Sequence, residues 1–299
     1  MENVVISNSQ FALFGLGAFL AIVVPLAVAI VWKVVKKERF TTILIGAAIF
    51  LVFAIVIEKL LQNALLMTDN PAGKFINSYP VLLAFVAGLF PGLFEETGRF
   101  FAFKTLLKKR TNRETSISYG IGHGGFEVMF VIGMVFVEYI VYAVMINTGT
   151  YGEMISQARE QIQGQSNPLI EQQMGTLTAL PSQLAAFGFA EFALTMLERV
   201  IAVLFHIGAS ILVFYACKDK KKVWLYPLAI VLHTLADFVA ALYLFGVVKM
   251  NEWIFEGVFA VISLAVFFGG YFLLYRKDKD RGILKPVEDI PEPAQVAEG

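Results

Sequence analysis

The chain has 299 residues, 58% of them hydrophobic and 16% charged, with 24 basic side chains balanced by 24 acidic ones. A mean hydropathy of +0.70 at that length excludes a soluble domain and leaves a polytopic membrane protein. The single cysteine, Cys217, cannot form an internal disulfide and says nothing about redox compartment.

A helix crossing about 30 Å of hydrocarbon needs roughly 20 apolar residues. Seven stretches qualify, predicted at residues 11–32, 41–61, 80–107, 116–147, 183–216, 223–247 and 253–275. In the first, Ala27-Val28-Ala29 imitates a signal-peptide cleavage site, but the N-terminal flank is uncharged and the Lys and Arg residues follow the run. It therefore reads as a spanning helix. Glu58 and Lys59 fall at the outer end of the second stretch and read as interfacial. Between 148 and 182 the chain is polar and rich in Gln, and Asn167-Pro168 has the form of a cap followed by a first-turn proline. Short helices outside the membrane are expected there, as a solvated connection or as a lid. From Arg276 the chain passes from basic to acidic and carries Pro286, Pro291 and Pro293, the composition of a flexible tail. The division is thus a membrane domain over 1–275 and a cytoplasmic tail over 276–299, without a repeat of the kind that builds many transporters.

Basic residues collect in alternate connections: Lys33, Lys36, Lys37 and Arg39, then Lys104, Lys108, Lys109, Arg110 and Arg113, then Lys218 and Lys220 to Lys222, then Arg276 onward. The remaining connections hold only Lys74, Arg159 and Lys249. The positive-inside rule then places the N-terminus outside and the C-terminus in the cytoplasm. The fold class is all-α, a multi-pass helical bundle of a cell membrane.

Against this background the ionisable residues within the spans need a reason, because a charge at the bilayer centre costs about 3 kcal/mol on insertion scales. All three histidines, His123, His206 and His233, lie inside apolar stretches, and a fourth stretch carries Glu95, Glu96 and Arg99. Counted at about 1.5 Å per residue from the nearest cytoplasmic charges, Glu95 and the three histidines fall within about 13–18 Å of that side. One shared level on four helices suggests one shared site.

Spacing adds partners. Glu95 and Arg99, His123 and Glu127, His206 and Ser210, and His233 and Asp237 each stand four residues apart and share a helix face. Asp237 or Glu127 could fix a histidine tautomer, Arg99 could keep a carboxylate ionised, and only one of Glu95 and Glu96 is expected to face Arg99. The glycines of Gly120-Ile121-Gly122-His123-Gly124-Gly125 allow close approach of another helix or of a substrate backbone. Ser210, in mid-helix, is expected to bond its own backbone. Glu191, Glu198 and Arg199 extend the polar stripe outward, with Arg199 expected in a structural pair with Glu198 or Glu138.

A carboxylate that deprotonates water, with histidines to stabilise the oxyanion or protonate the leaving amine, suffices for amide hydrolysis. The same groups could bind Zn²⁺ through His123, His206, His233 and a carboxylate such as Glu127, leaving Glu95 or Glu96 as base. No HExxH occurs in the sequence.

In order, Glu95-Glu96-Thr97-Gly98-Arg99, Tyr119-Gly120-Ile121-Gly122-His123, His206 and His233-Thr234-Leu235-Ala236-Asp237 resemble the YhfC-type branch of the CAAX-protease and bacteriocin-processing superfamily of intramembrane endopeptidases. The resemblance covers roughly Tyr79 to Phe245. It implies that Glu95 and Glu96 activate water, that Arg99 closes the first motif, that His123 assists the water or the oxyanion, and that His233 and Asp237 form the last motif. His206 fits the additional histidine span of this branch. The first motif is one residue shorter than the EExxxR of the CAAX-processing enzymes, which argues against carrying over prenyl-peptide substrates. The expected catalytic set is Glu95, Glu96, Arg99, His123, His206, His233 and Asp237, working on a membrane protein or lipid-associated peptide and not on nucleic acid. A glutamate-based mechanism without a cofactor is favoured, with Zn²⁺ as the alternative, and a proton-coupled or metal transporter is the competing function class.

Overall fold

The computed structural model describes residues 4–163 and 167–280. Among these residues every regular element is helical, and seven helices are long and apolar enough to cross a membrane. They are α1 (Asn8–Lys36), α2 (Phe40–Leu66), α4 (Pro80–Lys104), α5 (Glu114–Thr148), α8 (Phe189–Lys218), α9 (Leu225–Leu244, reached through a short turn at Lys220–Lys222) and α10 (Glu252–Tyr275). The predicted bundle of seven spans is the observed one. Three shorter helices, α3 (Pro71–Asn77), α6 (Tyr151–Gln161) and α7 (Pro168–Ala186), lie at the end away from the basic connections.

The boundaries follow local chemistry. Asn167 caps α7, its side chain accepting from the Leu169 amide at 2.9 Å, and Pro168 fills the first turn where no amide partner is required. Short helices expected beyond 148 are therefore present, but α7 runs on to Ala186 and the fifth span starts only at Phe189. The predicted start at 183 is corrected: Phe187 is extended, which ends α7 and lets the chain turn into α8. Likewise α4 stops at Lys104, short of 107. Two spans depart from α-geometry into wider π-type turns, at Leu51–Glu58 in α2 and at Val128–Ile132 in α5.

The helices enclose one long core. α4 packs along α9, α2 along the first half of α5, and α8 against α4, α5, α9 and α10. α1 lies outside, along both halves of α5, and exposes Phe19, Ile30 and Val31 among many apolar side chains, as a lipid-facing helix does. A second apolar cluster, built from Phe14, Phe136, Tyr151, Ile155, Leu184 and Phe192, joins α6 and α7 to the ends of α1, α5 and α8. At the basic end, Asp278 accepts from Tyr215 Oη at 2.7 Å and from Lys218 Nζ at 2.6 Å, while the Arg113 amide donates to the Asp280 carbonyl at 3.0 Å. The start of the segment read as a tail is thus docked on α5 and α8. Residues 281–299, including the three prolines on which the tail was inferred, lie outside the described residues.

Candidate active site

Glycine contacts set the helices that carry the polar residues. A Cβ on Gly88 would lie 2.5 Å from the Phe238 amide nitrogen, and one on Gly92 would strike Thr234 Oγ1. α4 and α9 can therefore touch backbone to backbone, which brings Glu96 beside His233. On α5 a Cβ on Gly122 would strike the Ile43 carbonyl of α2, and one on Gly120 would lie 2.6 Å from Ile207 Cα of α8. The glycines around His123 thus serve helix packing, one of the two roles the sequence left open.

The four helices bring all seven predicted catalytic residues together. His123 Nε2 lies 2.8 Å from Glu95 Oε2, and His233 Nδ1 lies 2.7 Å from Glu96 Oε1. Arg99, fully buried, pairs with Glu96, reaches Glu95 Oε2 at 3.7 Å and donates from Nη2 to His206 Nδ1 at 2.6 Å. His233 Nε2 stands 3.3 Å from Asp237 Oδ2. Rings of Phe50 and Phe205 pack edge-on to His123 and His233 at centroid distances of 5.0 Å each, leaving the imidazoles little freedom to rotate.

Three pairings differ from those read along single helices. His123 bonds Glu95 on α4 instead of Glu127, and Glu127 Oε2 instead lies 2.5 Å from His206 Nε2 on α8. Both Glu95 and Glu96 reach Arg99, because positions three and four residues before it share its face. Ser210 bonds the His206 carbonyl at 2.6 Å, as expected of a mid-helix serine.

A cavity of about 360 Å³ runs from this network toward the end away from the basic connections. Its wall includes Glu95, Glu127, His206, His233 and Asp237, and farther along Glu58, Lys59, Glu198 and Arg199. Glu96, Arg99 and His123 stand behind that wall, each fully buried, whereas the Asp237 side chain is 32% exposed. The paired glutamates therefore differ: Glu95 faces the space where a substrate fits, and Glu96 ties Arg99 to His233. Glu58 is buried and paired with Lys59 at 3.1 Å, so its reading as an interfacial group is corrected. The wide turns just before it shift the phase of α2. Arg199 pairs with Glu198, as expected, and approaches Glu127 at 4.0 Å in place of Glu138.

Glu95, His206 and His233 can each offer one donor atom with all three within 4.8 Å of one another. Two imidazoles and a carboxylate form a donor set found in catalytic zinc sites that keep an open position. The cavity wall also holds five carboxylates, on Glu58, Glu95, Glu127, Glu198 and Asp237, against the permanent cations Lys59 and Arg199. Behind it Arg99 offsets Glu96. Carboxylates outnumber the fixed cations on this wall, which favours a divalent cation. The residues fit such an ion. Of the metal-ligand candidates that the sequence suggested, His206 and His233 belong to this set, while His123 and Glu127 stand beside it, His123 hydrogen-bonded to Glu95 and Glu127 in ionic contact with His206.

Residues 20–259 match the model of the family described as "YhfC intramembrane metalloprotease". The chain is also 27% identical over 262 residues, 88% of its own length and 96% of the relative's, to "Uncharacterized membrane protein YhfC" of Bacillus subtilis (strain 168). No solved structure matches.

Proposed function

This chain belongs to the YhfC intramembrane metalloprotease family, and from that premise we propose that it is an endopeptidase of the cell membrane that hydrolyses peptide bonds of membrane-associated substrates in the cavity beside Glu95. One observation carries the proposal. Glu95 lines the cavity, and its Oε2 has His123, His206 and His233 nitrogens at 2.8, 3.8 and 4.0 Å.

In the glutamate-based form of the reaction, Glu95 takes a proton from water as the oxygen attacks the substrate carbonyl and later delivers it to the leaving amine. His123 donates from Nε2 to Glu95 and fixes which oxygen faces the cavity. Protonated at both nitrogens, His233 would keep Nδ1–H on Glu96 and offer Nε2–H from the cavity wall to the oxyanion. Arg99 and Glu96 hold His206 and His233 in place and do not touch substrate. Glu96, buried behind the wall, is a positioning residue in this scheme, so one of the two motif glutamates carries the base role.

The donor set and the family description favour a second form, in which Glu95, His206 and His233 hold a divalent ion such as Zn²⁺. Bound there, the ion would polarise the carbonyl and acidify water. His206 would release either Arg99 or its Nε2 proton to serve as ligand, because both ring nitrogens are now engaged. Asp237, exposed to the cavity beside His233, would then be the base.

Purified protein in liposomes with single-span model peptides tests both. Cleavage detected by mass spectrometry supports the function, and its absence with folded protein contradicts it. Stoichiometric metal, with activity lost to a chelator and restored by Zn²⁺, selects the second form. Full activity in metal-free protein selects the first.

A further inference from the structure

Six helices, α2, α4, α5, α8, α9 and α10, wall the cavity beside Glu95, and toward the end away from the basic connections the exposed side chains of Lys59 and Leu244 line it. Helix α7 lies at that end. Its second half is rooted on one side: Leu180 and Leu184, its two buried residues, belong to the apolar cluster with Tyr151 of α6, Phe136 of α5 and Phe192 of α8. Its first half reaches the other side. Asn167 Nδ2, at the cap, donates to the Leu66 carbonyl at the end of α2 at 3.1 Å, and Gln172 Nε2 donates to the Leu244 carbonyl at the end of α9 at 3.1 Å. At this end α2 and α9 both pack on α4, whereas α5 packs on α1. With 19 residues α7 is about 28 Å long, and with one end on α5 and α8 and the other on α2 and α9 it lies over the opening between them.

The two halves of α7 are held unequally. Pro181 lacks the amide that would bond the Leu177 carbonyl, and Tyr151 Oη donates to that carbonyl instead at 2.8 Å, pinning the rooted half. Between Pro168 and Leu177 no residue is buried. Few buried contacts and solvent-exposed hydrogen bonds mark a segment that opens locally. We propose that the first half of α7 is the lid of the cavity, hinged between Leu177 and Pro181, and that substrate enters beneath it from the end away from the basic connections. Glu95 lies about 22 Å along α4 from Pro80, so a substrate has to supply about seven extended residues on that side of the membrane to reach it. That the substrate is a peptide rests on the proteolytic reading, whereas opening of the lid can be measured without substrate.

Cys217 is the one cysteine of the chain, so Cys217→Ser gives a background in which Ala240→Cys, on the cavity wall one turn below Leu244, reports opening to a bulky charged maleimide. In full-length protein in lipid nanodiscs, Gln172→Ala and Asn167→Ala should each speed labelling at Ala240→Cys about two- to tenfold, the factor for one neutral hydrogen bond. Labelling of Lys220→Cys, at the basic end, should not change. Unchanged labelling at Ala240→Cys in both variants overturns the lid, as does equal acceleration at Lys220→Cys, which would mean general loosening. Peptide cleavage gives the second readout. Gln172→Cys with Leu244→Cys, joined by a short reducible cross-linker, should cleave about tenfold or more slowly than the same protein before cross-linking, and reduction should restore the rate. Undiminished cleavage by the cross-linked protein overturns the proposal. Absence of cleavage before cross-linking would sink the proteolytic reading and leave the labelling rates to decide the lid.

Discussion

The two halves of α8 differ sharply. From Phe205 to Ala216 every residue is buried, whereas from Phe189 to Leu204 only Phe192, Leu194 and Ala202 are. His206 sits just inside the dense half, and Glu198 and Arg199 lie on the cavity wall in the loose half. Dense packing around Tyr119, Phe103, Ile207 and Phe214 fixes the polar network, and the looser half gives a substrate room to reach it. The site lies at the border because it needs both rigidity and access.

Substitutions in the dense half should cost stability first, and those facing the cavity should cost rate first. The largest stability loss is expected for Glu96→Ala, which leaves Arg99 without its closest carboxylate. Breaking one partner of a buried pair costs about 3–5 kcal/mol, readable as a lower denaturation midpoint in detergent. A Glu96→Ala protein as stable as wild type would place Arg99 outside the structural framework. Gly122→Ala should cost about 1–3 kcal/mol by forcing a methyl group onto the Ile43 carbonyl. Gly175, in α7 with open space around its Cβ position, is the control: Gly175→Ala should be neutral or stabilising by up to about 1 kcal/mol. Equal losses at both glycines would erase the contrast. On the cavity side, Asp237→Asn should lower kcat about 10- to 100-fold with no change in thermal midpoint, and a stability defect without a rate defect would move Asp237 into the framework.

The smallest effect belongs to the basic end. Burial would raise the Asp278 pKa, but hydrogen bonds from Lys218, the Asp280 amide and Tyr215 outweigh it and hold the carboxyl below its ordinary value. A depressed pKa contributes stability that is fully present above the unfolded value of about 3.9 and is lost as pH falls through the folded one. Docking of residues 278–280 should therefore loosen only below about pH 4, seen as faster amide exchange there. Asp278→Asn should mimic this at neutral pH with a cost of about 0–1 kcal/mol. Loosening between pH 5 and 7 in the wild type would contradict the assignment.

Much of this was legible in the sequence. Seven apolar stretches and one shared depth for Glu95, His123, His206 and His233 foretold the bundle and the convergence, because lipid restricts both span length and the tolerance for charge. Partners were harder. Counting four residues along a helix paired His123 with Glu127, whereas the contacts that formed cross between helices, to Glu95 and to His206. Glu58 reads as interfacial from its place at the outer end of a span, and that place does not say which way the wide turns of Leu51–Glu58 aim the side chain. The division of labour between Glu95 and Glu96 was invisible because adjacency in sequence does not say which carboxylate meets a cavity.

The central claim is that Glu95 is the group the reaction needs and not merely a buried partner. Single-turnover cleavage of one model transmembrane peptide by wild type and Glu95→Gln, at equal folded fraction, tests it most directly. A rate about 10²–10⁴-fold lower in the variant is predicted, with the thermal midpoint little changed. Cleavage by Glu95→Gln at the wild-type rate would contradict the account.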